Sequence, residues 1–204
     1  NMASSIQLSL QMQKGSKADG TLGYMTEEQY EQLVNSDFVE QAGHRRIIGY
    51  ASNTSSHSIE INYADSVQQE LTFCVPTHGA APEKANEIAT TDLALKALGV
   101  DPEIGAEVPL EFELRGKTYH YDMVLSGWWE ASNDSVSVAT ISEQFIKENP
   151  DVVQNTYAVD HVMSGVTFSD VVLKNKVNVQ QQLNDFVYSI GGNPEDMGAD
   201  NFIC

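Results

Sequence analysis

The sequence contains little basic charge and almost no cysteine. Eleven lysine and arginine residues stand against 29 aspartate and glutamate residues, a formal net charge of −18. Such a charge repels phosphate backbones and anionic lipid surfaces, so the composition argues against nucleic-acid binding. The two cysteines, Cys74 and Cys204, match no zinc-ligand spacing, and whether they pair with each other stays open. Cysteine usage therefore does not indicate a compartment.

Long apolar runs are also missing. No stretch approaches the roughly 20 apolar residues that cross a bilayer. Residues 1–5 show no basic segment leading into an apolar one, as a signal peptide would. The sequence is then either cytosolic or a segment of a longer protein. Its 204 residues, 41% of them hydrophobic, suffice for one large or two small folded domains.

Motifs of nucleotide-binding loops, nucleophile elbows and zinc peptidases do not occur, and we predict no catalytic residue, no cofactor and no metal ion. His120 and Asp122 would share a strand face and could begin a metal site, but a third ligand is missing. Cys74 and His78 could act as nucleophile and base only with an orienting group and an oxyanion hole. We interpret the first pair as an exposed face and Cys74 as a core residue.

The start of the chain has a β-α-β order. Alternating apolar residues from Ile6 to Met12 predict a strand. Thr26 and Gln29 have the spacing of a capping box and predict a helix that runs to about Val34. A second strand is predicted over residues 45–51.

The end of the chain repeats this order. Residues 166–173 predict a strand, and Asn178 precedes a helix whose apolar residues recur at helical spacing until Gly191. A last strand is predicted over residues 201–204. We expect the segments 6–12 and 201–204 to lie close together. The two β-α-β units could pair into one split, ferredoxin-like subdomain.

The middle of the chain is mostly β. Residues 59–63 and 70–75 are interpreted as two strands joined by a tight turn, and residues 91–98 as a short helix that Gly99 ends. Apolar residues alternate over 108–114 and again over 119–125, which predicts a hairpin around residues 115–117. A strand over 135–141 leads into a helix that Ser142 caps.

The hairpin has two distinct faces in this interpretation. Leu110, Phe112 and Leu114 should face one core together with Tyr119, Tyr121, Met123 and Trp129, because side chains alternate along a strand. Glu111, Glu113, His120 and Asp122 should then face solvent or a partner. Trp128 falls on the face opposite Trp129 and is a candidate partner-contact residue, although the usual burial of tryptophan favours a core role for both.

Together these patterns predict an α+β fold of two parts. Residues 1–52 and 155–204 would form a discontinuous, porter-like β-α-β subdomain, and residues 53–154 an inserted, mostly-β subdomain with one or two short helices. Neither part carries a repeat of solenoid period.

The middle of the chain also resembles a known family. The run Pro82–Ala89, the helix that ends in Leu98-Gly99, the Ile104-Gly105 turn, the hairpin and Leu125-Ser126-Gly127 follow in the order seen in MacB-like periplasmic core domains of FtsX-like ABC transporter permeases. The resemblance covers about residues 79–130 and transfers no catalytic residue. It implies an extracellular domain of a bacterial cell-membrane permease.

That resemblance also implies partners. The permease would work with a cytoplasmic ATP-binding subunit, through a transmembrane part outside this sequence, and with a second permease copy. The domain would couple transmembrane motion to binding or export of a substrate or partner outside the membrane. A free-standing surface adhesin or ligand-binding module is the alternative, and a hydrolase a more distant one.

Overall fold

The computed structural model describes residues 2–132 and 136–202. Its helices are Met2–Lys14 (α1), Glu27–Val34 (α2), Ser66–Leu71 (α3), Asp92–Ala97 (α4), Glu143–Glu148 (α5), Tyr157–Asp160 (α6) and Val179–Ser189 (α7), with a 3-10 helix at Pro150–Val153. Its strands are Gly20–Met25 (β1), Val39–Ala42 (β2), Arg45–Tyr50 (β3), Ser58–Ala64 (β4), His78–Gly79 (β5), Glu87–Thr91 (β6), Glu107–Leu114 (β7), Lys117–Trp129 (β8), Val136–Ile141 (β9), Thr167–Leu173 (β10) and Asp200–Asn201 (β11). This mixture confirms the predicted α+β class.

The chain divides into two compact units. The first comprises Asn1–Arg45, Asp65–Phe73 and Thr167–Cys204, and the second comprises Arg46–Ala64 and Cys74–Val166. This differs from the division into 1–52 with 155–204 and 53–154. Residues 46–52 and 155–166 fall in the second unit, where Ile47 exchanges backbone hydrogen bonds with Gly165 and Val166. Residues 65–73 fall in the first unit, where Gln68 binds Asp170.

An antiparallel sheet forms the base of the first unit, in the order β11-β1-β10-β2. The predicted capping box at the start of α2 is present, because Thr26 accepts from the Gln29 N–H and the Gln29 side chain accepts from the Thr26 N–H. The apolar side of α7 supplies Leu183, Phe186 and Val187 to the core, together with Leu22 and Leu33 from β1 and α2. Each burial of such a side chain is worth about 1.5–3 kcal/mol.

The predicted strand at Ile6–Met12 is wrong, because these residues belong to helix α1. None of the described residues of α1 is buried. The alternation of apolar residues from Ile6 to Met12 therefore does not correspond to a buried face of a sheet, and these apolar side chains are exposed on the helix. At the end of α1, the Lys14 ammonium donates to the carbonyl of Phe202. This contact joins the end of α1 to residue 202, but Lys14 lies outside the segment 6–12 and residues 203 and 204 lie outside the described ranges, so the predicted proximity of 6–12 and 201–204 stays a prediction.

The second unit is built on a mixed sheet. From β4, the order runs through β9, β6 and β8; β4–β9 and β6–β8 are parallel, and β9–β6 is antiparallel. Both β5 and β7 pair antiparallel with β8. The core contains Ile61, Ile88, Leu95, Phe112 and Phe145, all at most 1% exposed. These residues come from β4, β6, α4, β7 and α5, so one core holds the unit together.

The predicted hairpin is present as β7 and β8. Its turn residues Arg115 and Gly116 have φ values of 50° and 78°, the left-handed pair of a type I′ turn. Phe112 faces Tyr119 and Leu110 faces Tyr121 across the two strands. Leu110, Phe112, Met123 and Trp129 are buried, whereas Glu113, His120 and Asp122 are exposed. The predicted assignment of the two faces is therefore confirmed.

A further predicted strand, residues 70–75, is wrong. Residues 66–71 form helix α3, because the Asp65 carboxylate accepts from the Gln68 N–H and caps the helix. The other short helices occur where predicted. Thr91 and Ser142 cap α4 and α5, and Gly99 follows α4 with a φ of +72°.

Candidate functional site

The side chain of Trp128 is half-buried beside the edge strand β5. Its ring stacks on the ring of His78, with 3.8 Å between centroids and 4° between planes. The Thr77 N–H donates to the Trp128 carbonyl, so backbone pairing fixes this stack. Trp129 is 4% exposed and lies in the core. The strand phase predicted for both tryptophans is correct, and a partner role for Trp128 stays a prediction.

Strand β5 lies so close to β8 that position 79 has no room for a side chain. A Cβ on Gly79, whose φ is +70°, would lie 2.2 Å from the Ser126 carbonyl oxygen. Two apolar side chains near this strand are exposed, Val75 at 43% and Ile104 at 53%. The residues around Trp128 thus present an edge of mixed polarity, with His78 covering one side of the indole.

His120 and Asp122 lie on the exposed face of β8. The His120 Nε2 is 3.0 Å from the Asp122 carboxylate, and its Nδ1 is 3.7 Å from Glu111. In the described ranges, no group of three or more metal-binding side chains is placed to hold an ion. The pair was interpreted as an exposed strand face, and its geometry agrees with this interpretation.

Cys74 and His78 lie four residues apart at the entry to β5. The imidazole of His78 is occupied by its stack on Trp128, and Cys74 is half-buried in the loop before β5. Within the described residues Cys74 is in no disulfide, and Cys204 lies outside them.

A histidine and a serine do meet elsewhere in the second unit. The His57 Nε2 is 2.6 Å from the Ser137 Oγ, which is itself 2.5 Å from the Thr91 Oγ1. His57 borders a groove of about 420 Å³, but Ser137 is only 1% exposed. Thr91 in turn accepts from the Ala94 N–H as the cap of α4. The chain of hydroxyls therefore satisfies buried polar groups at a helix start rather than presenting a nucleophile.

In the first unit, His44 is paired with a carboxylate. Its Nε2 lies 2.8 Å from Glu27, which also accepts from the Thr167 hydroxyl at 2.7 Å. The imidazole stacks on Tyr30 with 4.1 Å between ring centroids. These contacts join α2, β10 and the segment before β3, so they hold the unit together.

Two ionisable groups of the second unit are shifted by their surroundings. Burial raises the pKa of Tyr121, and the nearby Asp151 carboxylate adds to this effect. The pKa of Asp160 is lowered, chiefly because its carboxylate accepts from the Val162 N–H and also from Thr156 and Arg115. Both groups lie near the β7–β8 hairpin, where Arg115 also donates to the Gln154 carbonyl.

Sequence reasoning missed one feature of the same hairpin. It assigned the side chains of His120 and Asp122 to the exposed face but did not identify that the backbone of these residues and of Thr118 lies at an unpaired sheet edge. The sequence signal that could have identified this edge is the length of the turn, because a two-residue turn fixes which backbone groups of β8 point toward β7. Whether another strand lies at the opposite edge depends on the order of strands in the sheet, which the sequence does not indicate.

The fold defines a class: the chain is folded like the extracytoplasmic domains of ABC-type transporters. It matches the extracellular domain of the ABC-type transporter YknZ from Gram-positive bacteria with a TM-score of 0.51 and 11% identity, over 89% of this chain and 96% of that one. It matches the periplasmic region of MacB from Actinobacillus actinomycetemcomitans with a TM-score of 0.56 and 10% identity, over 93% and 91% of the two chains. The fold implied by the sequence resemblance is thereby confirmed.

Comparison at the level of sequence adds nothing to this likeness. No sequence-family profile matches the chain, and no curated protein matches it. Among the described residues, none of the helices combines the length and the apolar character that a membrane span requires.

Proposed function

We propose that this chain is the extracytoplasmic domain of an ABC transporter permease, and that it couples transmembrane motion to a substrate or partner outside the membrane. The likeness of fold to MacB and YknZ over about nine-tenths of the chain carries this proposal. Fold alone does not define function. The sequence resemblance over residues 79–130 supplies a second, separate line of support.

The arrangement of the terminal segments is compatible with such a role. Lys14, at the end of α1, contacts Phe202, and β11 pairs with β1. The proposed partner is an ATP-binding subunit in the cytoplasm, reached through a membrane-spanning part of the same permease.

Membrane fractionation and affinity purification of the full-length protein test this proposal. The gene that encodes the chain is expressed with an affinity tag in its own host, and membranes are washed with alkaline carbonate. We expect the protein to resist extraction and to co-purify with an ATP-binding protein. Release by carbonate, with no ATP-binding protein bound, would contradict the proposal and favour a surface adhesin.

A further inference from the structure

Strand β8 has a free edge over residues 118–122. A two-residue turn makes Leu114 and Lys117 a hydrogen-bonded pair, and the pairs then alternate along the hairpin. Tyr119, Tyr121 and Met123 therefore direct their backbone groups toward β7. The backbone groups of Thr118, His120 and Asp122 point to the opposite edge.

The next residues of β8 verify this alternation. Val124 donates its N–H to the Asn86 carbonyl at 2.7 Å on the β6 side, whereas Leu125 donates to Ala106 on the β7 side. Pairing with β6 begins at Glu87 opposite Val124. In residues 2–132 and 136–202, no backbone partner is found at this edge for residues 118, 120 or 122.

A turn keeps the edge open. The Glu87 carboxylate accepts from the N–H groups of Glu83 and Lys84, and the Glu87 N–H donates to the Lys84 carbonyl. The chain therefore turns at residues 83–87 and does not continue the line of β6 along the first half of β8. The position beside residues 118–122 of β8, which a longer β6 would occupy, is where one added strand would lie.

The other edge of the same hairpin is protected. Pro109 stands in β7 and has no N–H to offer, and its carbonyl accepts from the Asn53 side chain. Ser52 donates to the Glu111 carbonyl at that edge. Natural proteins cover sheet edges in these ways because an open edge pairs with other chains. The stretch 118–122 contains no proline, and no backbone segment of the described part of the chain pairs with its outer edge.

A groove accompanies the open edge on the core side of β8. Its volume is about 190 Å³, and it is lined by Ala85, Asn86, Tyr121, Asp122, Met123, Phe145 and Asn149. Sites for small-molecule ligands have volumes of about 300–1,000 Å³, so this groove suits a single apolar side chain. The hydroxyl of Tyr121, on its floor, donates to Asn149.

Acidic groups flank the groove. Asp151, an exposed residue of the 3-10 helix, accepts from the hydroxyl of Tyr119 at 3.1 Å, and Tyr119 lies two positions from Tyr121 on the same face of β8. On the opposite face the Asp122 side chain is 64% exposed. Lys117, at the turn, lies over the Tyr119 ring. With a chain charge of −18, the surroundings favour a basic occupant.

We propose that residues 118–122 of β8 bind an extended, basic segment of a partner polypeptide by strand addition. One apolar side chain of that segment enters the groove over Tyr121, and a lysine or arginine two residues away pairs with Asp151. Backbone hydrogen bonds supply affinity and the alternate side chains supply selectivity in this binding mode. The proposal goes beyond the transporter function and does not depend on it, since the isolated chain suffices for its test.

A symmetric peptide probes the edge in either strand direction. The probe is acetyl-Thr-Lys-Thr-Leu-Thr-Lys-Thr-amide, measured against the 204-residue chain by isothermal titration calorimetry. Replacing both lysines by glutamate should abolish binding. Equal binding of the glutamate peptide would overturn the basic character of the occupant.

N-methylated peptides separate strand addition from simple charge attraction. One peptide carries N-methyl groups at its odd-numbered residues and another at its even-numbered residues, so each loses the donors of one edge only. Each pattern leaves the donors of one strand direction intact, so a peptide methylated at all seven residues, which loses both sets, should bind at least about tenfold more weakly than the parent, because each lost backbone hydrogen bond weakens binding up to about tenfold. Binding of the fully methylated peptide like the parent would overturn the proposal.

A proline at the edge is the matched change in the protein. His120→Pro removes an N–H that points away from β7, as Pro109 does in the neighbouring strand, and should weaken binding at least about tenfold. His120→Thr keeps the N–H and should bind like the wild type. If His120→Pro fails to fold, the methylated peptides decide. A dimer of the chain alone that His120→Pro abolishes would show that a second copy occupies the edge and would overturn the proposal.

Discussion

Replacing Phe112 by alanine removes a ring from the centre of the second unit's core. The side chain is 0% exposed, and its ring stacks on Tyr119 and Tyr121 with 5.3 and 6.1 Å between centroids. Burial of such a side chain contributes about 2–3 kcal/mol. With the cavity included, Phe112→Ala should lower the free energy of unfolding by roughly 3–5 kcal/mol.

Urea unfolding followed by tryptophan fluorescence measures this loss. Both tryptophans, Trp128 and Trp129, belong to the second unit, so the signal reports the unit that contains Phe112. Glu113→Ala is the matched control, because its side chain lies next along β7 on the exposed face and should change stability by only about 0.5 kcal/mol. Equal shifts of the two midpoints would refute the assignment of faces.

Three further predictions concern a turn, an exposed carboxylate and a buried carboxylate. Gly116→Ala should cost roughly 1–2 kcal/mol, because its φ of +78° disfavours a Cβ; an unchanged urea midpoint would contradict this. The pKa of Asp160 is lowered in the folded protein, so its carboxylate favours folding above about pH 4 and this contribution is lost as the pH falls through its folded value. An NMR titration that gives Asp160 an ordinary or raised value would refute the contact with Val162. Asp170→Ala should lower the free energy of unfolding by roughly 1.5–3 kcal/mol, measured by thermal unfolding, because the Ser16 hydroxyl and the Gln68 amide lose a charged acceptor. Asp185→Ala, on the exposed side of α7, is the control and should change stability little. An equal loss of stability in both variants would be the contrary result.

Much of the fold could be predicted because its signals are local. The capping box at Thr26 and the caps at Thr91 and Ser142 each act within four residues, and the type I′ turn is set by Arg115 and Gly116 themselves. Alternation along the hairpin reports burial directly, since one face is packed and the other is exposed. These elements occur where the sequence indicated them.

The errors arose where a local pattern did not correspond to burial. Alternation from Ile6 to Met12 is typical of a half-buried strand, yet α1 buries none of its described residues. Over residues 70–75 the β-branched and aromatic content suggested a strand, while the Asp65 cap with Gln68 at the third helical position was overlooked. A cap outweighs such content because it satisfies otherwise unpaired N–H groups.

The proposed edge site could be predicted only in part. Alternation placed His120 and Asp122 on the exposed side, but whether a strand lies beside them depends on the turn at residues 83–87 and on the start of β6 at Glu87. Such long-range arrangements are set by topology rather than by local preference. The unit boundaries differed for the same reason, because residues 65–73 pack in the first unit through Gln68.

Labelling of intact cells tests most directly whether the domain lies outside the membrane. The full-length protein carries Cys74→Ser and Cys204→Ser together with Glu113→Cys, at an exposed position of the hairpin, and cells are treated with a membrane-impermeant maleimide. Phe112→Cys in the same background is the buried control. We expect Glu113→Cys to be labelled fully before lysis and Phe112→Cys to be labelled only after denaturation. Labelling of Glu113→Cys that requires lysis would place the domain inside the cell and contradict the proposed function.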